Sequence, residues 1–293
     1  MARESQIVLG LDPDPARLWP VTLGTEAPGA TPGQRAGAAV RAHCAALIDA
    51  AGPACVAVKP QLACFERLGA DGWSALRATV GYARERGLLV LADAKRGDIA
   101  VSAAAYAQAL VGATATPFGD VEGLGADAFT ANPLLGIDAL QPLVDGARAA
   151  GAGVFVLVRT SNPGAAAVED LRLADVEGGG TGWERLAQIV AQLGGQPSAH
   201  SGLADVCAVV GATAPEHVAR MRELMPYAPF LLPGIGAQGG RVEDIAPAFA
   251  PGRAAALVSA SRSIAAAHEA TGAPPANAAR AEAERLRAAA WSL

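Results

Sequence analysis

The feature that most constrains the fold is a recurrence of short apolar runs, each followed by a polar turn and a helix-compatible stretch. The runs lie near Gln6–Leu11, Ala54–Val58, Leu88–Ala92, Ala126–Thr130, Val154–Val158, Asp205–Val209, Phe230–Leu232 and Ala256–Ser259. Stretches such as LLVLA and VFVLV have no polar alternation. Strands of that kind are buried on both faces, as in a parallel sheet covered by helices. The intervening WSALRATVGYARERG and GWERLAQIVAQLGG read as amphipathic helices with glycine stops.

Eight such strands with helices between them predict a (β/α)8 TIM barrel, with a doubly wound open sheet as the alternative that counting leaves open. Barrels of about 250 residues fold as one domain, and no linker or internal repeat divides the chain. A single domain over residues 1–293 is therefore expected. Trp19–Gln34, rich in Pro and Gly, reads as an extended loop before a helix near Arg35–Ala51. Gly178–Gly180 and Gly194–Gly202 bracket a helix as loop insertions. After the Pro274-Pro275 break, Ala276–Leu293 favours a helix packed on the outside of the barrel.

Composition narrows the function classes. Hydrophobic residues make up 52% of the chain and charged residues 17%, which supports a large core and argues against disorder. Aromatics are only 4%, so that core is built from Ala, Val, Leu and Ile. A formal net charge of -5 without a basic run argues against nucleic acid as a partner. A phosphorylated small molecule remains compatible, because a few local donors can hold it. The apolar part of MARESQIVLGLDPDP is too short for a signal peptide, and no later run reaches the roughly 18 apolar residues of a membrane helix. Cys44, Cys55, Cys64 and Cys207 form no CxxC pair, so free thiols in a reducing cytoplasm are expected.

In a barrel of this kind chemistry sits at the C-terminal strand ends. The first run ends in Asp12, the second in Lys59, and the third in Asp93, Lys95 and Asp98 within LADAKRGDI. Asp93 and Lys95, two apart, point to one side of an extended strand. Two lysines and three carboxylates can form an alternating network in which the flanking carboxylates favour the ammonium form of Lys95. An ammonium fixed beside a carbon losing CO2 stabilises the developing negative charge and then delivers a proton. At about 4 Å and an effective dielectric near 20, one such pair is worth roughly 4 kcal/mol. Enzymes lower barriers by roughly 8–23 kcal/mol, so preorganised partners and remote binding of a phosphate must supply much of the rest. Taken singly, each piece has a plainer reading: DAKRGD as a solvated turn, Lys59 as a snorkelling lysine, Asp12 as a turn former before Pro13. Together they point to a site, because burying five charges without a purpose is costly.

Barrels often bind phosphate with the loops after strands seven and eight. Here those loops are PGIGAQGG and SASRSI. Glycines let backbone N–H groups approach an anion, and Arg262 can add a bidentate fork. His43, His200, His217 and His268 lie outside every strand-end motif and read as ordinary surface or helix residues. No dinucleotide fingerprint, Walker-type loop or nucleophile elbow is present. A reaction needing neither metal nor organic cofactor fits that pattern.

LADAKRGDI resembles the D-x-K-x-x-D signature of orotidine 5'-phosphate decarboxylases, a spacing shared with related phosphosugar decarboxylases. GLD, AVKPQ, ANPLLG, VRTSNPGA, VGAT, LLPGIGAQGG and SASRSI follow in an order similar to the longer bacterial branch (type 2) of that family, over roughly Gln6 to Ile264. The resemblance implies a cofactor-free enzyme of UMP biosynthesis that takes orotidine monophosphate as substrate. It implies that Asp12 contacts the ribose and that Lys59 supports both ribose and charge network. Asp93 would face the substrate carboxylate, and Lys95 would protonate the pyrimidine carbon. Asp98 is similar to an aspartate that crosses a homodimer interface into the partner's site. Ser102 stands where the family often has Thr, and Ala100 where it often has Gly. Thr160 or Ser161 would contact the pyrimidine, and Asn132 would face the site, although both segments also read as polar turns. Gln238 and Arg262, with the Gly236 backbone, would hold the phosphate.

Two other readings stay open. A magnesium-dependent phosphosugar decarboxylase would use the same DxK element, and its turnover would fail with a chelator. A silent barrel would bind UMP and leave orotidine monophosphate unchanged.

Overall fold

All eight apolar runs are strands in the computed structural model, which describes residues 3–24, 29–174, 180–236 and 238–293. They are β1 (Ile7–Leu11), β2 (Ala57–Pro60), β3 (Leu89–Arg96), β4 (Ala128–Ala131), β5 (Gly153–Arg159), β6 (Val206–Val210), β7 (Phe230–Leu232) and β8 (Ala256–Ala260). They close into a barrel in the order β1-β8-β7-β6-β5-β4-β3-β2, so each strand neighbours the next in sequence. Neighbouring strands pair in parallel, for example Gly10 opposite Lys59 and Val156 opposite Ala208. Every residue of β1 and β6 is buried, as strands covered on both faces must be.

Two boundaries differ from the sequence expectation in ways that matter. The second strand starts at Ala57 and not Ala54, because Gly52–Ala54 form a 3-10 turn in which Pro53 has no N–H for a ladder. The third strand runs on to Arg96. Lys59, Asp93 and Lys95 therefore lie within strands and not beyond them.

The main helices are α1 (Pro32–Ala51), α2 (Gly69–Glu85), α3 (Ala100–Leu110), α4 (Ile137–Ala149), α5 (Gly182–Gly194), α6 (Val218–Leu224), α7 (Arg262–Ala265), α8 (Ala267–Thr271) and α9 (Pro275–Trp291). The start of α1 precedes Arg35 because Thr31 and Gln34 form a reciprocal capping box with Pro32 at the first helical position. Thr181 and Glu184 cap α5 in the same way. An antiparallel ribbon of Ala113–Thr114 with Val121–Glu122 was not expected, since two-residue strands carry no readable periodicity. Of the expected loops, residues 25–28 and Gly178–Gly179 lie outside the described residues. Within Trp19–Gln34 the described part contains a 3-10 turn at Pro20–Thr22.

Contacts divide the chain into two compact units, Met1–Ala94 with Ala260–Ser292 and Lys95–Ser259 with Leu293. In the first, α1 packs on α2 and on the C-terminal α9, whose Arg280 donates to the Ala50 carbonyl at 3.4 Å. The tail helix thus lies against an outer helix, as expected. In the second, the buried Arg222 of α6 donates to the carbonyls of Met225, Ala228, Ala248 and Ala255 at 2.7–3.1 Å. Its guanidinium also lies 3.7 Å over the Phe230 ring, and burial pushes its pKa down to about 10. Cys44, Cys55 and Cys207 are buried free thiols, while Cys64 is half-buried. No helix among the described residues is long and apolar enough to cross a membrane.

Candidate active site

In the first unit β2 and β3 bring Lys59 and Asp93 together. The Lys59 Nζ lies 2.6 Å from Asp93 Oδ2, and both side chains are more than nine-tenths buried. Gln61 Nε2 donates to the same oxygen at 3.0 Å, and a parallel bridge between Gln61 and Asp93 prolongs the β2–β3 pairing. Burial pushes the Lys59 ammonium towards deprotonation, but Asp93 and Asp12 outweigh it and hold the pKa above the usual lysine value. Lys59 is thus a fixed cation, and snorkelling does not describe it.

Asp12 follows β1 and is exposed. It borders a cavity of about 40 Å³ whose walls include His43, Ser261 and Arg262. Gly10 in its wall packs directly on Ser261: a Cβ there would fall 1.7 Å from Ser261 Oγ. Arg262 opens α7 and is exposed; among the described residues its guanidinium has neither a hydrogen-bond nor an ion-pair partner. His43 corrects the expectation of an ordinary helix residue. It is on α1, yet it is buried, lines this cavity and accepts the Trp19 backbone N–H on Nδ1 at 3.1 Å.

The second unit carries the rest. Lys95 is exposed, and its backbone N–H donates to Thr130 Oγ1 at 2.8 Å. Its φ is 47°, a left-handed conformation that costs a non-glycine residue roughly 1–2 kcal/mol. That break in the pleat also removes the premise that Asp93 and Lys95 share a side by strict alternation. Strain of this kind clusters at functional positions. Asp98 is half-buried and accepts the Ile99 N–H on Oδ1 at 2.8 Å, and Ser102 is exposed on the first turn of α3. Asn132 is exposed after β4, and its Oδ1 accepts the Leu134 N–H at 3.0 Å, which is the local turn an Asn-Pro pair suggests.

At the end of β5 the two hydroxyls differ. Thr160 bonds through both N–H and Oγ1 to Glu169 at 2.9 Å, and its Oγ1 also pairs with Asn162 Oδ1 at 2.7 Å. Arg159 grips Asp170 through Nε at 2.8 Å and Nη2 at 3.0 Å, so the segment between is tied down at both ends. Ser161 is half-buried, and its carbonyl accepts from Thr213 Oγ1 at 3.2 Å. After β7, Gly236 donates its N–H to the Gly240 carbonyl at 2.9 Å, so that donor shapes the turn. Gln238 is exposed, and Ala237 lies outside the described residues. Among the described residues, no three of His, Cys, Asp and Glu cluster as a metal site requires.

Sequence pattern missed four contributors: Gln61, Thr130, His43 and Glu169. Gln61 had a signal, since it directly follows Lys59-Pro60 at a strand end. The other three act through partners 9 to 35 residues away, at spacings that match no helix or strand period.

A family model described as "Orotidine 5'-phosphate decarboxylase / HUMPS family" matches residues 5–275. The chain belongs to this family. A relative from Deinococcus radiodurans, named orotidine 5'-phosphate decarboxylase, is 41% identical over 265 residues, covering 90% of this chain and 85% of the relative. One of the same name from Rhodopirellula baltica is 41% identical over 232 residues, covering 79% and 74%. The solved structure of Leishmania donovani OMP decarboxylase superposes with a TM-score of 0.70 at 31% identity, covering 99% of this chain and 96% of that one.

Proposed function

We propose that this chain, acting as one domain, decarboxylates orotidine 5'-monophosphate to UMP without metal or organic cofactor. The observation that carries this reading is the buried Lys59–Asp93 pair at 2.6 Å, whose aspartate lies on the strand that also bears Lys95. In the proposed reaction the bond from the pyrimidine carbon to the carboxylate breaks, and its electron pair stays on that carbon. The Lys95 ammonium stabilises this charge and transfers a proton to it as CO2 leaves. Lys59 and Gln61 hold Asp93 against the substrate carboxylate, so the enzyme contributes a preset field that water would have to reorganise to supply.

Asp12 and Lys59 would take the ribose, with Asn132 beside the base. Of the two β5 hydroxyls Ser161 is the better pyrimidine contact, because Thr160 is already engaged by Glu169. Gln238 and Arg262 would hold the phosphate, with Gly236 setting the turn. The homodimer reading gains support from large apolar side chains near Asp98 and Ser102: Ile99, Val101, Leu134 and Leu135 are 51–84% exposed. Such side chains suit a contact with a second copy in which Asp98 reaches the partner's site.

The test is the loss of orotidine monophosphate absorbance on adding purified protein with a chelator present. Rapid conversion to UMP is expected. Chelator-sensitive turnover would shift the reading to a metal-dependent phosphosugar enzyme, and UMP binding without conversion would leave a silent barrel. Mixing inactive Asp98→Ala and Lys95→Ala chains should restore part of the activity; a dead mixture with shown subunit exchange would remove the shared site.

A further inference from the structure

Trp19 is 2% exposed and is among the largest fully buried side chains, yet it belongs to the loop that follows β1. A bulky indole fixed in a connecting loop calls for a reason, because loops ordinarily stay at the surface. Its polar atoms point to one. The indole Nε1–H donates to the Ala265 carbonyl at 3.0 Å, the last residue of the short helix that begins at Arg262. The backbone N–H of Trp19 donates to His43 Nδ1 at 3.1 Å, and the two rings meet edge to face at 5.4 Å. His43 in turn lines the cavity shared by Asp12 and Arg262. A second edge contact at 6.5 Å joins Trp19 to His268 on α8. Burial, with His268 nearby, pushes the His43 pKa down to about 4, so at neutral pH its Nδ1 stays an acceptor.

We infer that Trp19 and His43 are positioning residues for the phosphate end of the nucleotide: they clasp the Asp12-bearing loop to the Arg262-bearing helix. The inference rests on the reading of Arg262 as the phosphate ligand. Neither residue needs to touch substrate. The Arg262 guanidinium has no partner among the described residues to hold it, so its aim depends on the backbone that carries it. The Trp19 indole fixes that backbone through Ala265, and His43 fixes Trp19. The clasp thereby sets the span between a ribose contact at Asp12 and a phosphate contact at Arg262. Charge-assisted forks are sensitive to such placement.

The experiment is a double-mutant cycle on UMP affinity, with uridine as the probe that lacks the phosphate. Trp19→Phe keeps the apolar bulk and removes only the indole donor. It should weaken UMP about five- to tenfold, the scale of one hydrogen bond, and leave uridine unchanged. Adding Trp19→Phe to Arg262→Ala should cost no further affinity, because the clasp then has nothing to aim. His43→Asn, which can still present an acceptor, should keep near-native UMP affinity, whereas His43→Leu should match Trp19→Phe. Equal weakening of UMP and uridine, additive losses in the cycle, or unchanged UMP affinity in both Trp19→Phe and His43→Leu would overturn the inference. If Arg262→Ala itself leaves UMP affinity unchanged, the phosphate assignment falls, and the clasp with it. That outcome is distinct from a failure of the clasp alone, in which Arg262→Ala still weakens UMP.

Discussion

Arginines before the strands and cations after them behave differently. Arg3, ahead of β1, donates to the carbonyls of Gly52, Cys55 and Arg86, which lie just before β2 and β3. Arg222 satisfies four carbonyls in the segments before β7 and β8. Arg148 joins Asp205, ahead of β6, by two hydrogen bonds of 2.7 and 2.9 Å. At the other ends of the strands Lys95 and Arg262 are exposed. The arginines ahead of the strands thus tie segments of the barrel together, whereas Lys95 and Arg262 carry exposed side chains. Barrels separate stability from chemistry along the strand direction, and the proposed site would follow that division. Lys59 and Arg159 are instructive exceptions: burial and Asp93 fix the first in β2, and Asp170 fixes the second at the end of β5.

The sharpest way to break this comparison is to remove one cation from each end. Lys95→Ala should lower turnover by about 10⁴-fold or more while the protein stays folded and still binds UMP. Steady-state assay, thermal melting and UMP titration together check this, and near-normal turnover would remove the proton-donor role. Arg222→Met should do the reverse. Four carbonyls lose their donor in a buried setting, so stability should fall by about 3 kcal/mol or more. At a temperature where the variant is still folded, kcat should be unchanged. A large kcat loss in Arg222→Met would show that the division between the two ends is false.

What could be read beforehand follows the same division. β1, β5 and β6 were legible because unbroken apolar runs have few alternatives to a strand buried on both faces. Lys59, Asp93 and Lys95 were legible as strand-end charges, although the strands proved to extend through them. The supporting contacts were not. Thr130 holds Lys95 from the adjacent strand, and Glu169 ties Thr160 from the end of a short excursion. His43 comes from the middle of α1, where an isolated histidine looks like any helix residue. Each depends on tertiary placement, which spacing along the chain does not encode.

His43 offers a test of whether burial at the functional end also contributes to stability. Its pKa is about 4 in the fold against 6.5 ordinarily, with burial the main cause. As pH falls from 6.5 to about 4, the unfolded chain takes up this proton first, so stability must drop across that window. Above 6.5 both states are neutral and the full contribution is present. The drop from this one group is bounded at about 3 kcal/mol. Urea unfolding at several pH values should show a steeper acid-side loss in the native protein than in His43→Asn, where nothing titrates at that position. Equal slopes would mean that the folded protein accommodates a charged His43.

The smallest effect separates strain that serves the site from strain that only accompanies it. Two non-glycine residues on either side of the β3–α3 connection have positive φ, Lys95 near the end of β3 at 47° and Ala100 at the start of α3 at 44°. Lys95 cannot be relieved without removing the ammonium, so its strain is tied to its proposed role as proton donor. Ala100 has only a methyl group, and glycine would adopt the same backbone freely. Relief is worth roughly 1–2 kcal/mol, offset by about 0.4–1 kcal/mol for the greater freedom of glycine in the unfolded chain. Ala100→Gly should therefore gain about 0.5–1 kcal/mol, a rise in Tm of about 1–4 °C, with kcat unchanged. Asp98 and Ser102 flank this position, so a fall in kcat alongside the stability gain would show that the strain at Ala100 holds them in place.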